Sequence, residues 1–240
     1  MSKSKPLVAF ESVSFGYTMQ PILHNIHLEL NEGEITCLLG KSGCGKSTLL
    51  QLCAGLLLPQ SGRIHSTIQR PGQYIGYMQQ SGGLLPWRTI YQNIALGLEL
   101  TNRPIDDDKI TRLLEQLGLL DKKHVFPHEL SGGQKQRVSL AQQLILEPKL
   151  LLLDEPLTAL DVVLRQEIAQ LIKDQIKQRG ISALIITHSI DEAVFLADQV
   201  CILQNNPASI ASSWRTSDKM SSEHLFTAIA DTLRSEAVHA

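Results

Sequence analysis

Residues 40–48 read GKSGCGKST and follow directly on the apolar run of residues 35–39. The three glycines let successive backbone N–H groups approach phosphate oxygens closely, because no Cβ atom stands in the way. A helix starting at Lys46 would direct its positive dipole end at the same anion, and the Lys46 ammonium can reach a β- or γ-phosphate. The pattern GxxxxGK followed by Ser or Thr, between a strand and a helix, predicts a triphosphate-binding P-loop; the alternative is a glycine-rich turn. The residues expected to contact the nucleotide are Gly40, Lys41, Ser42, Gly43, Cys44, Gly45, Lys46, Ser47 and Thr48.

A second group of candidate residues follows the apolar run of residues 150–153, where the sequence continues Asp154-Glu155. A carboxylate on a strand near a P-loop can anchor Mg²⁺, which is the role expected for Asp154, with Ser47 offering its hydroxyl to the same ion. Glu155 would then face the γ-phosphate, so we expect it to be the general base that polarises the attacking water. The alternative is a solvated acidic pair that only ends a strand.

Composition limits the classes of protein to which the chain can belong. Of its 240 residues, 43% are hydrophobic, so we expect a sizeable core. The chain carries 22 Lys and Arg against 24 Asp and Glu, so we expect no nucleic-acid partner. The four cysteines show no CxxC pair, which fits a reducing cytosol. Residues 1–9 lack the apolar region of a signal peptide, and no run reaches the roughly 18 apolar residues of a bilayer span. If the protein works at a membrane, another chain must cross it.

The order of apolar patterns predicts the elements that position these residues. Alternation over residues 8–17 and 26–30 indicates two antiparallel strands joined by a turn around residues 19–21, whereas residues 35–39, 150–153, 183–186 and 200–203 are typical of buried parallel strands. Helices are expected at residues 46–56, 106–117, 132–146, 162–178 and 190–196.

These elements predict the fold class and the organisation of the chain. The class is α/β, a P-loop NTPase with a mostly parallel central sheet, an antiparallel β subdomain near the N-terminus and an inserted α-helical lobe. Residues 1–240 are expected to be one domain, with a core of about residues 7–81 and 146–204 and a lobe of about residues 82–145. In the tail, residues 205–240, we expect an irregular connection over residues 204–218 and then a short terminal helix.

The stretch LSGGQ, residues 130–134, places Ser131, Gly132 and Gly133 at the start of a predicted helix. A hydroxyl, N–H groups and the helix dipole would together form a second phosphate site there, although a plain serine cap is the alternative. With the P-loop before it and LLLLDEP after it, the stretch closely resembles the ATP-binding subunits of ABC transporters, over about residues 8–203. The resemblance implies a head-to-tail homodimer binding ATP and Mg²⁺, in which Ser131, Gly132, Gly133 and Gln134 of one subunit contact the nucleotide held by the other.

The same resemblance assigns roles to further positions. It implies that Tyr17 stacks on adenine, that Gln80 contacts Mg²⁺ and the water, that Asp161 lies in the loop between subunits, and that His188 contacts the γ-phosphate. The neighbouring Gln79 leaves the register of the glutamine open.

Two positions depart from the family pattern. Thr158 stands where serine or glycine is usual, and Gln142 stands where arginine is common. At Gln142 a surface or lobe contact is expected to differ, but no catalytic group is lost.

The segment LLPWRT at residues 84–89, followed by Asn93, is similar to that of bacterial importers of the nitrate, sulfonate, taurine and thiamine-precursor type. The resemblance implies transmembrane permease subunits as partners, a periplasmic or lipid-anchored solute-binding protein as an indirect partner, and a peripheral position on the cytoplasmic face of the inner membrane. It also leads us to expect no sizeable C-terminal regulatory domain. Two alternatives stay open. The segment could be a turn packing its own lobe, and the chain could be a soluble ABC ATPase that switches a non-transport partner by ATP-dependent dimerisation.

Overall fold

A computed structural model describes residues 6–17, 20–68, 72–80, 83–158, 160–216 and 221–235. Its strands are β1 (Val8–Tyr17), β2 (Gln20–Leu30), β3 (Ile35–Leu39), β4 (Ser61–Ser66), β5 (Ile75–Met78), β6 (Leu150–Asp154), β7 (Ser182–Ile186), β8 (Gln199–Gln204) and β9 (Ser209–Arg215). Its α-helices are α1 (Lys46–Cys53), α2 (Ile90–Leu100), α3 (Asp107–Gln116), α4 (Gly132–Leu144), α5 (Val162–Arg179), α6 (Ile190–Leu196) and α7 (Ser222–Ser235).

The central sheet has six strands in the order β5-β6-β7-β3-β8-β9, and all neighbouring pairs except β8–β9 are parallel. Both faces of the sheet are apolar. Its strands β3, β6 and β7 are buried at every position, and successive side chains of a strand point to opposite faces. In β6, Leu151 and Leu153 pack into the core beneath α2 to α7, whereas Leu150 and Leu152 pack into the core shared with α1 and the N-terminal strands. The predicted α/β fold with a mostly parallel sheet is confirmed.

The N-terminal strands form a separate antiparallel sheet in the order β2-β1-β4. The antiparallel subdomain is therefore confirmed, but part of its predicted turn is wrong. Gln20 and Pro21 already belong to β2 and pair with Tyr17 and Gly16. Proline fits there since β2 is an edge strand, where a missing N–H breaks no ladder. Met19, the first residue of the expected turn, lies outside the described residues.

Between β5 and β6, three helices pack together: α2 contacts α3 and α4. The predicted helices at residues 106–117 and 132–146 appear as α3 and α4, each slightly shorter. No helix was predicted for α2. Its start is marked by Thr89 and Gln92, whose side chains each bond the other's backbone in a capping box.

Beyond β8 the prediction of an irregular connection is wrong. Residues 209–215 form β9, which pairs antiparallel with β8, with Trp214 opposite Val200. The serine-rich sequence shows no clear strand pattern. The strand forms because its backbone pairs with the open edge of β8. The terminal helix is confirmed as α7, which buries Leu225 and Ile229 against the core. No helix within the described ranges has the length and apolarity that a bilayer crossing demands.

Candidate functional site

The P-loop joins β3 to α1 and is stabilised by the lysine that begins the helix. Lys46 is only 5% exposed, and its Nζ donates hydrogen bonds to the carbonyl oxygens of Gly40 and Lys41, each at 2.8 Å. The residue before it, Gly45, has φ +101°, a left-handed conformation that other residues rarely adopt. The loop therefore curls back over the helix N-terminus with the ammonium at its centre.

The glycine at the start of the loop is needed because the backbone passes close to β8. A Cβ on Gly40 would lie 2.6 Å from the carbonyl oxygen of Leu203, nearer than real Cβ contacts allow. The side chain of Cys44 packs on the same carbonyl, with Sγ 3.8 Å from it. One side of the P-loop is thus closed by protein, which leaves the other side for a ligand.

The predicted metal-binding residues meet directly. The Ser47 side chain lies close enough to the carboxylate of Asp154, at the end of β6, to influence its pKa. Asp154 is 8% exposed, and this burial is the main cause that raises its pKa; repulsion from Glu155 adds to the rise, while Ser47 and Lys46 oppose it. The exposed Ser47 hydroxyl and the buried Asp154 carboxylate are oxygen donors of the kind that Mg²⁺ prefers, and a bound cation would remove the penalty of the buried charge. The residues present fit the ion.

Glu155 lies at the centre of a cluster of hydrogen-bond donors. Its Oε2 accepts hydrogen bonds from Gln80 Nε2 at 3.0 Å and from Thr158 Oγ1 at 3.1 Å, and His188 Nδ1 lies 3.6 Å away. The backbone of Glu155 has φ +48° and its N–H donates to the carbonyl oxygen of Ile186 on β7. Side chains from three separate chain segments are thereby gathered around one carboxylate, and Gln80 is the glutamine whose side chain reaches it.

Tyr17, the predicted adenine-stacking residue, lies at the end of β1 with its ring 48% exposed. Its hydroxyl donates to Gln51 Oε1 on α1 at 3.3 Å, and its ring packs edge-on against Phe15 with 5.1 Å between centroids. These two contacts hold the ring beside the helix that begins at the P-loop.

The LSGGQ stretch begins α4 in the inserted lobe. Ser131 Oγ accepts from the N–H of Gln134 at 3.3 Å, and Gln134 Oε1 accepts from the N–H of Ser131 at 3.0 Å. A Cβ on Gly133 would lie 2.6 Å from Leu164 of α5, so this glycine allows the two helices to approach. Ser131 and Gln134 therefore cap their own helix. The N-terminus of this helix is exposed, and its positive dipole end favours an anion.

Asp161 acts as the cap of α5, since its Oδ1 accepts from the N–H of Leu164 at 3.0 Å. The carboxylate is exposed. A cleft of about 450 Å³ separates this region from the lobe, and it is lined by Gln80, Thr158, Gly132 and residues of the segment at 84–86, among others. The structure thus brings Gln80 and Gly132 of the LSGGQ stretch to one cleft, while Ser131 and the P-loop are held by different parts of the chain.

Asn93 is a fully buried polar residue whose part in the lobe the sequence left undefined. Its Nδ2 donates to the carbonyl oxygens of Leu85, Arg88 and Thr89 within 3.1 Å, and its Oδ1 accepts from the N–H of Leu85 at 2.8 Å. Gln142 of α4 donates to the Asn93 carbonyl oxygen at 3.1 Å, so the unusual glutamine is part of the same network. An amide side chain in the first turn of a helix, directly after a surface loop, is the signal that could have revealed it.

The fold and this site define the class of the protein: a P-loop NTPase in which a strand-borne acidic pair and an inserted helical lobe accompany the nucleotide loop. Residues 23–158 match the family model described as ABC transporter, and the chain belongs to this family.

Comparison with individual proteins gives the same result. The aliphatic sulfonates import ATP-binding protein SsuB 1 of Shouchella clausii is 45% identical over 201 residues, which cover 84% of this chain and 77% of the relative. The Fe(3+) ions import ATP-binding protein FbpC 2 of Haemophilus influenzae is 38% identical over 84% of this chain, which spans only 60% of that longer relative. The dimeric structure of MJ0796, a bacterial ABC transporter cassette, superposes with a TM-score of 0.76 at 26% identity, covering 87% of this chain and 98% of that one.

Proposed function

We propose that the chain is the ATP-hydrolysing, energy-coupling subunit of a bacterial ABC importer, binding MgATP at the interface of a head-to-tail homodimer. The observation that carries the proposal is the cluster around Glu155, where Gln80, Thr158 and His188 surround a carboxylate next to the Ser47–Asp154 pair. A binding module without hydrolysis has no need of a general base held in this way.

The roles of the residues follow from their positions. The N–H groups of the P-loop bind the phosphates, and Lys46 exchanges the carbonyl oxygens of Gly40 and Lys41 for phosphate oxygens. Glu155 accepts a proton from the attacking water, and His188 lies beside it to contact the γ-phosphate. Ser47, Asp154 and Gln80 would hold Mg²⁺, which supplies positive charge to the phosphate oxygens when bound.

Dimerisation is supported by the location of the LSGGQ stretch. Ser131, Gly132, Gly133 and Gln134 begin a helix of the lobe, whereas the P-loop begins α1 under the central sheet. A phosphate site at each of two distant helix ends needs a second copy to bring both onto one nucleotide, with Asp161 between the subunits. The dimeric form of MJ0796 supports this arrangement.

Coupling to an importer is supported by the segment at residues 84–89 and by the relatives. Trp87 is 71% exposed on a loop held from beneath by Asn93, beside the cleft of about 450 Å³. A rigid loop with an exposed aromatic side chain suits docking of a helix from a transmembrane permease. The position would then be peripheral, at the cytoplasmic face of the inner membrane, with a solute-binding protein acting through the permease. The relatives are named for cargoes as different as sulfonates and ferric ions, so the cargo is left to those partners.

The test is purification of the tagged full chain from mild detergent extracts of its native cells. Co-purification of a multi-span membrane protein, reduced by Trp87→Ala and unchanged by Phe226→Ala on α7, would support the proposal. Phe226 is a matched control because it is also an exposed aromatic residue, at 38% exposure. ATP-dependent association with ribosomes or nucleic acid instead would favour the dimerisation switch.

A further inference from the structure

Thr158 holds Glu155 from within the same turn of the chain. The Thr158 N–H donates to the carbonyl oxygen of Glu155 at 3.2 Å, and its hydroxyl donates to Glu155 Oε2 at 3.1 Å. The two residues are three apart, so both contacts form locally once residues 155–158 adopt this turn. Thr158 itself is half-buried at the edge of the cleft beside the lobe.

The donors around Glu155 converge on one of its two oxygens. Oε2 accepts hydrogen bonds from Thr158 Oγ1 and Gln80 Nε2, and His188 Nδ1 lies nearby. No donor among the described residues contacts Oε1. Hydrogen bonds to a carboxylate oxygen occupy its lone pairs. The two oxygens are therefore unequal, and Oε1 is the one with lone pairs available to a water molecule.

Of these three groups, Thr158 lies nearest to Glu155 in the chain. Gln80 reaches Glu155 from the end of β5, and His188 is 57% exposed, and in the proposed function both also engage the metal, water or phosphate. The Thr158 hydroxyl has no such second task. Its contact with Oε2 can persist through the whole cycle.

We propose that Thr158 is a positioning residue, whose hydroxyl fixes Oε2 of Glu155 so that Oε1 points at the attacking water. The inference rests on the proposed function. In the step concerned, the water oxygen forms a bond to the γ-phosphorus, the bond from that phosphorus to the β–γ bridging oxygen breaks, and one water proton passes to Oε1. ADP and inorganic phosphate leave, and Glu155 later returns its proton to solvent.

The test compares steady-state hydrolysis by the wild-type chain with that of Thr158→Val and Thr158→Ser. Valine keeps the shape and removes the donor, and serine keeps the donor. We expect kcat of Thr158→Val to fall about tenfold with KM for ATP unchanged, since one hydrogen bond to a charged group is lost only where the base acts. Thr158→Ser should retain at least about half of the wild-type kcat.

Several results would overturn the inference. A wild-type kcat in Thr158→Val, an equal loss in Thr158→Ser, or a rise in KM that matches the fall in kcat would each do so, because none fits a donor that acts through the base. Thr158→Ala replaces Thr158→Val if the latter melts at a lower temperature than the wild type. Failure of the proposed function is distinguishable: the wild-type chain, with and without its membrane partner, would then hydrolyse no ATP.

Discussion

The side chain of Ser47, in the first turn of α1, interacts with the carboxylate of Asp154, the last residue of β6, and opposes the rise in its pKa that burial causes. The two residues are more than a hundred positions apart. In the sheet, β7 lies between β6 and β3, the strand that leads into α1. The contact therefore depends on the assembled fold. It joins the P-loop to the acidic pair and leaves a carboxylate buried, with a raised pKa, where a divalent cation would bind.

Asp154→Asn is expected to stabilise the metal-free protein. Because burial raises the pKa of Asp154, the fold favours the protonated form, so ionised Asp154 costs stability at any pH above that raised pKa. Asparagine keeps the acceptor for Ser47 without the charge. The melting temperature in EDTA should rise by about 2 °C near neutral pH, and the difference should shrink as pH falls through the raised pKa. Thermal melts from neutral pH down towards 3.8, the ordinary pKa of an aspartate, measure this. MgATP should stabilise the variant less than the wild type, and an equal gain would count against Asp154 as a metal residue.

Glu155→Gln should bind ATP and fail to turn it over. Glutamine cannot accept the water proton, so phosphate release should fall by about a thousandfold while nucleotide affinity is retained. With MgATP the variant should elute as a dimer on size exclusion. Glu29→Gln, on an exposed position of β2, is the matched control and should behave as the wild type. Undiminished phosphate release would remove Glu155 from the role of base.

Lys46→Ala should weaken nucleotide binding itself. The substitution removes the ammonium at the centre of the P-loop and leaves the carbonyl groups of Gly40 and Lys41 without their donor. We expect the dissociation constant for ATP to rise at least about tenfold by titration calorimetry. Lys122→Ala, at a surface ion pair with Asp121, should leave it unchanged. An unaltered affinity in Lys46→Ala would show that the loop binds without its lysine.

Thiol reagents should modify Cys44 selectively. Burial raises the pKa of Cys53 and of Cys201 to about 12 and also raises that of buried Cys37, whereas Cys44 is only half-buried in the P-loop. A bulky maleimide should label this one residue by peptide mass spectrometry and abolish hydrolysis, and ATP added first should protect it. The Cys44→Ala variant should resist inactivation. Activity that survives complete labelling of Cys44 would contradict a tight phosphate cradle.

Asn93→Ala should destabilise the protein and loosen the loop that carries Trp87. The change removes the side-chain hydrogen bonds to three carbonyl groups and to the N–H of Leu85, although the carbonyl oxygens of Leu85 and Thr89 keep backbone donors. We expect a cost of roughly 2–3 kcal/mol in the free energy of unfolding. Urea titration measures the loss, and Gln178→Ala on an exposed position of α5 is the control. Asn93→Asp should cost more, because a charged oxygen would face those carbonyl groups. A loss no larger than that of the control would show that the network is dispensable.

The residues of the site could be named from the sequence to a large extent, because its chemistry is local. A P-loop needs glycines, a lysine and a hydroxyl within nine positions, and the apolar runs of β3, β6, β7 and β8 record burial on both faces of a sheet. The capping side chains of Ser131 and Asp161 also act within their own turns.

The sequence by itself thus determined the nucleotide loop, the acidic pair, the parallel core and the family. Only the tertiary structure decided that Gln80 reaches Glu155, that Thr158 shares that carboxylate, that residues 209–215 form β9, and that Asn93 holds the loop before it. The physical reason is that these contacts form between chain segments that the fold brings together in space, or at the open edge of β8. The periodicity of a sequence reports only which face of its own segment is buried.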